Sequence, residues 1–227
     1  MATFESIIEK YSKTSRNHKK RSGKTFSSYF RKYMLSKQVW SIVEENGKDR
    51  YVKIEARKNY IVNIVTALEV FIKDTIRNNS FPIERQKELL KDKVTLWEAH
   101  ELFKSNGIRT EAIIADYYSF QNLDVINRVL STLYNNKILV EIDNTDLFTE
   151  AEHKDLSIKT GRPNWKQELI DLFEIRHDSI HDINFTKVIG KKKTNELGIS
   201  ALAFAMSLDM FVFNNWVKEA EESGRNL

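Results

Sequence analysis

Two prolines and seven glycines are all that interrupt 227 residues. Both residues break helices, so their scarcity favours long helices over a turn-rich β fold. The apolar pattern agrees. Ile54, Ile61, Ile64, Val65, Leu68, Phe71, Ile72 and Thr75 recur mostly at steps of three and four, which predicts one long amphipathic helix. Asn78-Asn79-Ser80, followed by Phe81-Pro82, ends it. Shorter helices are expected over 83–104 and 109–134, with Asn135-Asn136 as a break. Ile138 to Ile142 is compatible with a short strand but has no evident partner, and 137–162 is read as a connector with a helical turn or more. Asn164, with Gln167 three residues on, opens another helix. A last helix is expected over 195–222. Its apolar residues occupy more than one side, so it belongs in the middle of a bundle. The expected fold is an all-α bundle.

Hydrophobic residues make up 41% of the chain and charged residues 30%, as in a globular protein. There is no cysteine, which excludes disulfides, thiolate metal sites and a cysteine nucleophile. The first twenty residues carry scattered charges and lack the apolar core of a signal peptide. No stretch of 18 uncharged apolar residues occurs, and Ala201 to Phe213, with Asp209 inside it, reads as a buried helix. A cytoplasmic protein with no membrane partner is expected.

The net charge of +4 is unevenly spread. Residues 10–43 hold ten Lys or Arg and no acid. Lys19, Lys20, Arg21, Lys24, Arg31 and Lys32 are the candidate nucleic-acid contacts, interleaved with Tyr11, Phe26, Tyr29, Phe30 and Tyr33. Such a surface attracts phosphate, and aromatics can stack on bases. It is equally compatible with a solvated face whose aromatics pack on the body. Residues 1–48 are therefore read as a basic, partly helical arm, and 49–227 as the bundle. Ser22-Gly23-Lys24-Thr25 ends like a phosphate-binding loop but lacks the leading glycines and strand.

The informative helix reads PNWKQELIDLFEIRHDSIHD. At 100° per residue, Trp165, Leu169, Leu172, Phe173, Ile180 and Ile183 share one sector, the packing stripe. Arg176 lies in that same sector. A guanidinium on a core face must meet a carboxylate, backbone carbonyls or a phosphate. An internal salt bridge to Glu69 or Asp74 is one outcome, and a phosphate clamp in a cleft is the other. His177 and His181 lie on the flank, with Asp178 and Asp182 further out.

The segment Arg176-His177-Asp178-Ser179-Ile180-His181 resembles the R-x4-H motif of the HEPN superfamily, with His177 in the polar place after the Arg. The upstream LEVFIKD, Leu68 to Asp74, is similar to the early helix of those bundles. The resemblance covers about residues 50–220. It implies a HEPN-like bundle, a homodimer with two motifs in one cleft, and a metal-independent endoribonuclease of toxin, abortive-infection or antiviral systems, held in check by an inhibitory or regulatory protein. Arg176 and His181 would be the catalytic pair with His177 beside them; Asp178, Asp182, Glu69 and Asp74 would support them. RNA is the implied substrate and no cofactor is required. Ile183 stands where nucleotidyltransferase-paired members carry Tyr, so modification by such a partner is not implied.

Two other functions fit the residues. One is a catalytically silent module that binds RNA or protein. The other is a metal-dependent phosphohydrolase, because His177 and His181 are spaced i, i+4 and each precedes an Asp. The remaining histidines, His18, His100 and His153, sit in no ligand motif.

Overall fold

The computed structural model describes residues 22–90, 109–145, 157–181 and 188–222. Every regular element among them is helical: α1 (Ser22–Asn46), α2 (Arg50–Asn78), α3 (Ile83–Leu90), α4 (Thr110–Tyr117), α5 (Leu123–Tyr134), α6 (Ile138–Asn144), α7 (Ile158–Gly161), α8 (Trp165–His181) and α9 (Lys191–Glu222). The protein is an all-α bundle, as its scarcity of breakers requires.

α2 is the hub. It packs against α1, α4, α8 and α9, and Ile61, Ile64, Val65, Leu68 and Ile72 are fully buried. Its start is fixed by Asp49, whose carboxylate accepts the Tyr51 and Val52 amides, satisfying N–H groups that have no partner within the helix. Gly47 makes the preceding turn possible, because a Cβ there would stand 2.6 Å from the Val43 carbonyl oxygen. α9 crosses the other side, packed on α8, α2, α1, α6 and α7. Gly198 on α9 lets Tyr60 of α2 approach its backbone: a Cβ would overlap the Tyr60 hydroxyl and lie 3.0 Å from Cζ.

By length and composition α9 alone among the described helices could cross a membrane, yet most of that stretch is buried in the bundle. Ala201, Phe204, Leu208 and Phe211 make up part of the common core.

Three expectations change in detail. The 109–134 stretch is two helices, because the Asn122 side chain accepts the Asp124 and Val125 amides and starts α5 afresh. Asn135 then ends α5 in the left-handed region at φ 51°, a conformation Asn tolerates. Ile138 to Ile142 is helical, not a strand: Ile138 and Ile142 are buried one turn apart while Val140 is exposed. From Ser22 onward the basic stretch is one continuous helix whose aromatics pack on the body. Tyr29, Tyr33 and Trp40 put one face of α1 into the core, where Trp40 stacks on Tyr60 at 4.8 Å. Arg57 links both hairpin helices to a loop, donating to Glu44 Oε1 at 2.6 Å and to the Ile189 carbonyl at 2.8 Å.

Candidate functional site

α8 carries the site and is anchored at its start. Trp165 is buried, stacks on Phe204, and donates from Nε1 to Asp143 Oδ1 at 2.8 Å. Arg162 donates to Glu168 Oε2 at 2.6 Å, and that oxygen also accepts the Ser200 hydroxyl of α9. Leu169, Leu172, Phe173 and Ile175 follow as buried residues. The predicted stripe holds through Phe173 and then rotates. Ile175 is buried, whereas Ile180 is 45% exposed. Ile180 stands in the last turn of α8. Ile183 and Asp182 lie outside the described residues, as do Lys19, Lys20 and Arg21.

Arg176 lies on the packing side, as the helical wheel requires. The residue is half-buried, and its Nε is buried with no hydrogen-bond partner. The carboxylate that feels its charge is Glu69 on α2. Burial alone would raise the Glu69 carboxyl. The Gln121 amide, the Lys73 ammonium and the Arg176 guanidinium outweigh it and hold the carboxyl below its usual range. Gln121 Nε2 donates to Glu69 at 2.6 Å, and Lys73 Nζ lies 2.9 Å from it. Asp74 is engaged elsewhere. It accepts from Arg77 at 3.0 Å, and Arg77 also pairs with Asp116.

His177 and His181 are exposed on the outer side of α8. Their rings lie one above the other, centroids 4.7 Å apart and tilted by 44°, the contact expected of an i, i+4 pair. Between them Ser179 donates to the Ile175 carbonyl at 2.6 Å, which takes its hydroxyl out of the site. A cleft of about 320 Å³ opens beside His177. His177, Asp178, Glu174 and Phe173 line one wall, and Gln121 with Asp124 the other. Gln121 therefore joins two surroundings: its amide holds Glu69, which faces Arg176, and the residue lines the cleft that His177 enters.

The chain has no match among protein-family models, curated proteins or solved structures.

Two adjacent imidazoles, one of them lining a cleft, can accept and donate protons. A guanidinium one residue before them can hold an oxyanion. Among the described residues no three His, Asp or Glu side chains gather as a metal site. Lys24, Arg31 and Lys32 are exposed on α1, whose main packing partners are α2 and α9, and the structure does not bring them onto α8. Gln121 and Lys73 were not singled out from the sequence. Their approach is tertiary, and only the Asn122 cap beside Gln121 has a local signal.

Proposed function

We propose that this protein is a metal-independent endoribonuclease of the HEPN type, cytoplasmic, and serving in toxin or antiviral defence. The observation that carries the reading is the composition of the last turns of α8. A half-buried arginine with an unpartnered Nε directly precedes His177, which lines a cleft and whose ring lies 4.7 Å from that of the exposed His181.

RNA brings its own nucleophile. His181 takes the proton from a 2′-hydroxyl, the oxygen attacks the adjacent phosphorus, and the bond to the 5′ oxygen breaks. His177 shares the proton transfer and supplies a proton to the leaving oxygen. Arg176 holds the phosphoryl oxygens as negative charge builds on them. Asp178 and the Gln121–Glu69 pair orient these groups. The products are a 2′,3′-cyclic phosphate and a 5′-hydroxyl. The resemblance adds a second copy whose motif joins the first in one shared cleft, and a partner protein that restrains the activity.

A second reading is a silent RNA- or protein-binding module. It is favoured by the proximity of Arg176 to Glu69, which can hold the guanidinium inward. The discriminating experiment incubates the purified protein with total cellular RNA in excess EDTA and identifies the new ends. Cyclic-phosphate and 5′-hydroxyl ends support the nuclease. RNA retained without cleavage supports the module. Cleavage that EDTA abolishes returns the metal phosphohydrolase.

A further inference from the structure

The face of α9 that enters the core changes character toward its far end. Leu208, Phe211 and Val212 are buried. Asn215, Trp216 and Glu219 follow at the same helical spacing. These three border a cavity of about 460 Å³. Its other walls come from the end of α2 and the loop after it, from Arg85 of α3, and from Tyr134 at the end of α5. No residue of α8 lines it, so the cavity is independent of the nuclease reading.

The polar groups around this cavity are left open. The Tyr134 ring makes edge contacts with Phe81 and Phe211, at 5.1 and 5.2 Å, and its hydroxyl is buried with no hydrogen-bond partner. Burial, with the charge of Glu219 added, pushes that hydroxyl far above the usual tyrosine range, so it keeps its proton and can donate. A buried hydroxyl costs stability unless something pairs with it. Arg85 and Glu219 line the same cavity with opposite charges. They do not pair with each other, and neither has another ion-pair partner among the described residues. Arg85 spends one N–H on the Leu133 carbonyl at 3.0 Å, which fixes the guanidinium and leaves its other donors for a ligand. The acceptors are equally defined. Asn78, Asn79 and Asn215 donate their side-chain N–H groups to Thr25 Oγ1, the Thr75 carbonyl and the Phe211 carbonyl, at 3.0, 2.7 and 2.9 Å. Each keeps its side-chain oxygen as an acceptor.

A guanidinium and a tyrosine hydroxyl on one hand, and a carboxylate with amide oxygens on the other, suit a ligand that carries an anion and a cation close together. Phe81, Val212 and the half-exposed Trp216 add apolar surface beside them. We propose that this cavity binds a free α-amino acid with an apolar or aromatic side chain. Its carboxylate meets Arg85 and the Tyr134 hydroxyl in charge-assisted hydrogen bonds. Its ammonium group has three donors, for Glu219 and the asparagine oxygens. Its side chain lies against Trp216.

The test is titration of the full chain with L-phenylalanine and L-leucine, followed by calorimetry and by thermal shift. Both are expected to bind with a Kd below about 1 mM. Phenylalaninamide lacks the carboxylate and N-acetylphenylalanine lacks the ammonium, so each should bind at least about tenfold more weakly than L-phenylalanine. Glu219→Gln should weaken L-phenylalanine by a similar factor. Tyr134→Phe removes only an unpartnered hydroxyl, so Tm without ligand should hold or rise while affinity falls about tenfold. A merely structural tyrosine would leave affinity unchanged. The proposal is overturned if neither amino acid binds at about 10 mM, or if the two derivatives bind as well as L-phenylalanine. Affinity that survives both substitutions overturns it too. So does binding of a nucleoside monophosphate in place of the amino acids, which would assign the cavity to a different ligand.

Discussion

Replacing Arg176 by methionine should make the protein more stable and less active at once. The Nε of Arg176 is buried without a hydrogen bond, and leaving such a group unsatisfied costs about 1–3 kcal/mol. Methionine is unbranched, of similar reach and apolar, so it can fill the same half-buried space with no donor to satisfy. What is lost is the attraction to Glu69. That carboxylate keeps Lys73 at 2.9 Å and the Gln121 amide at 2.6 Å, so it is not stranded. The balance favours the variant by about 1 kcal/mol, which for a domain of this size raises Tm by roughly 2–4 °C. Thermal unfolding followed by circular dichroism measures this. In parallel, loss of the phosphate clamp should lower RNA cleavage by about 10²–10³-fold. Arg176→Lys, which keeps the charge but not the two-pronged donor, should fall between the two proteins in activity. A fall in Tm of several degrees for Arg176→Met would refute the reasoning, because it would make the arginine a structural tie to Glu69.

Two further perturbations test the packing and the electrostatics. Gly198→Ala should lower stability even though alanine is the better helix former by about 1 kcal/mol, because the new methyl group overlaps the buried Tyr60 hydroxyl; in a Tyr60→Phe background the nearest ring atom is Cζ at 3.0 Å, so thermal melts should show most of the loss recovered. Burial pushes the Asp209 carboxyl from 3.8 up to about 6, so the unfolded chain gives up that proton at lower pH than the fold does, and the fold is penalised as pH rises from about 4 to 6. Asp209→Asn should then have a higher Tm than wild type at pH 7, with the difference shrinking below pH 6 and gone near pH 4; a constant difference across that range would contradict the assignment.

How far the fold could be read ahead depended on whether each element carries its own local signal. The middle and end of α2 are legible, because its apolar period is regular and Asn79 through Pro82 terminate it, whereas its Asp49 cap emerges only in the structure. The break between α4 and α5 is not legible, since Ser119-Phe120-Gln121-Asn122 contains neither Gly nor Pro. The basic charges and interleaved aromatics of α1 fit both a nucleic-acid surface and a face packed on the body, and the burial of Tyr29, Tyr33 and Trp40 emerges only in the fold. The site divides in the same way. Arg176 on the packing side of α8, and the stacking of His177 on His181, follow from helical periodicity alone. Glu69 and Asp74 were indistinguishable as partners for Arg176, because the choice between them depends on Arg77 taking Asp74. Gln121 approaches Glu69 from 52 residues away in the chain, and no local pattern announces such a contact. Ile180 departs from the wheel, standing 45% exposed in the last turn of α8.

The claim on which the functional account depends is that the imidazole of His181 moves protons during RNA cleavage. The most direct measurement compares wild type with His181→Ala on a defined single-stranded RNA in excess EDTA, with helicity and Tm measured on the same samples. Because His181 is exposed on the outer side of α8, the fold should be unchanged, while cleavage falls by at least about 10²-fold. Equal cleavage by the two proteins, with matching melting curves, would contradict the account.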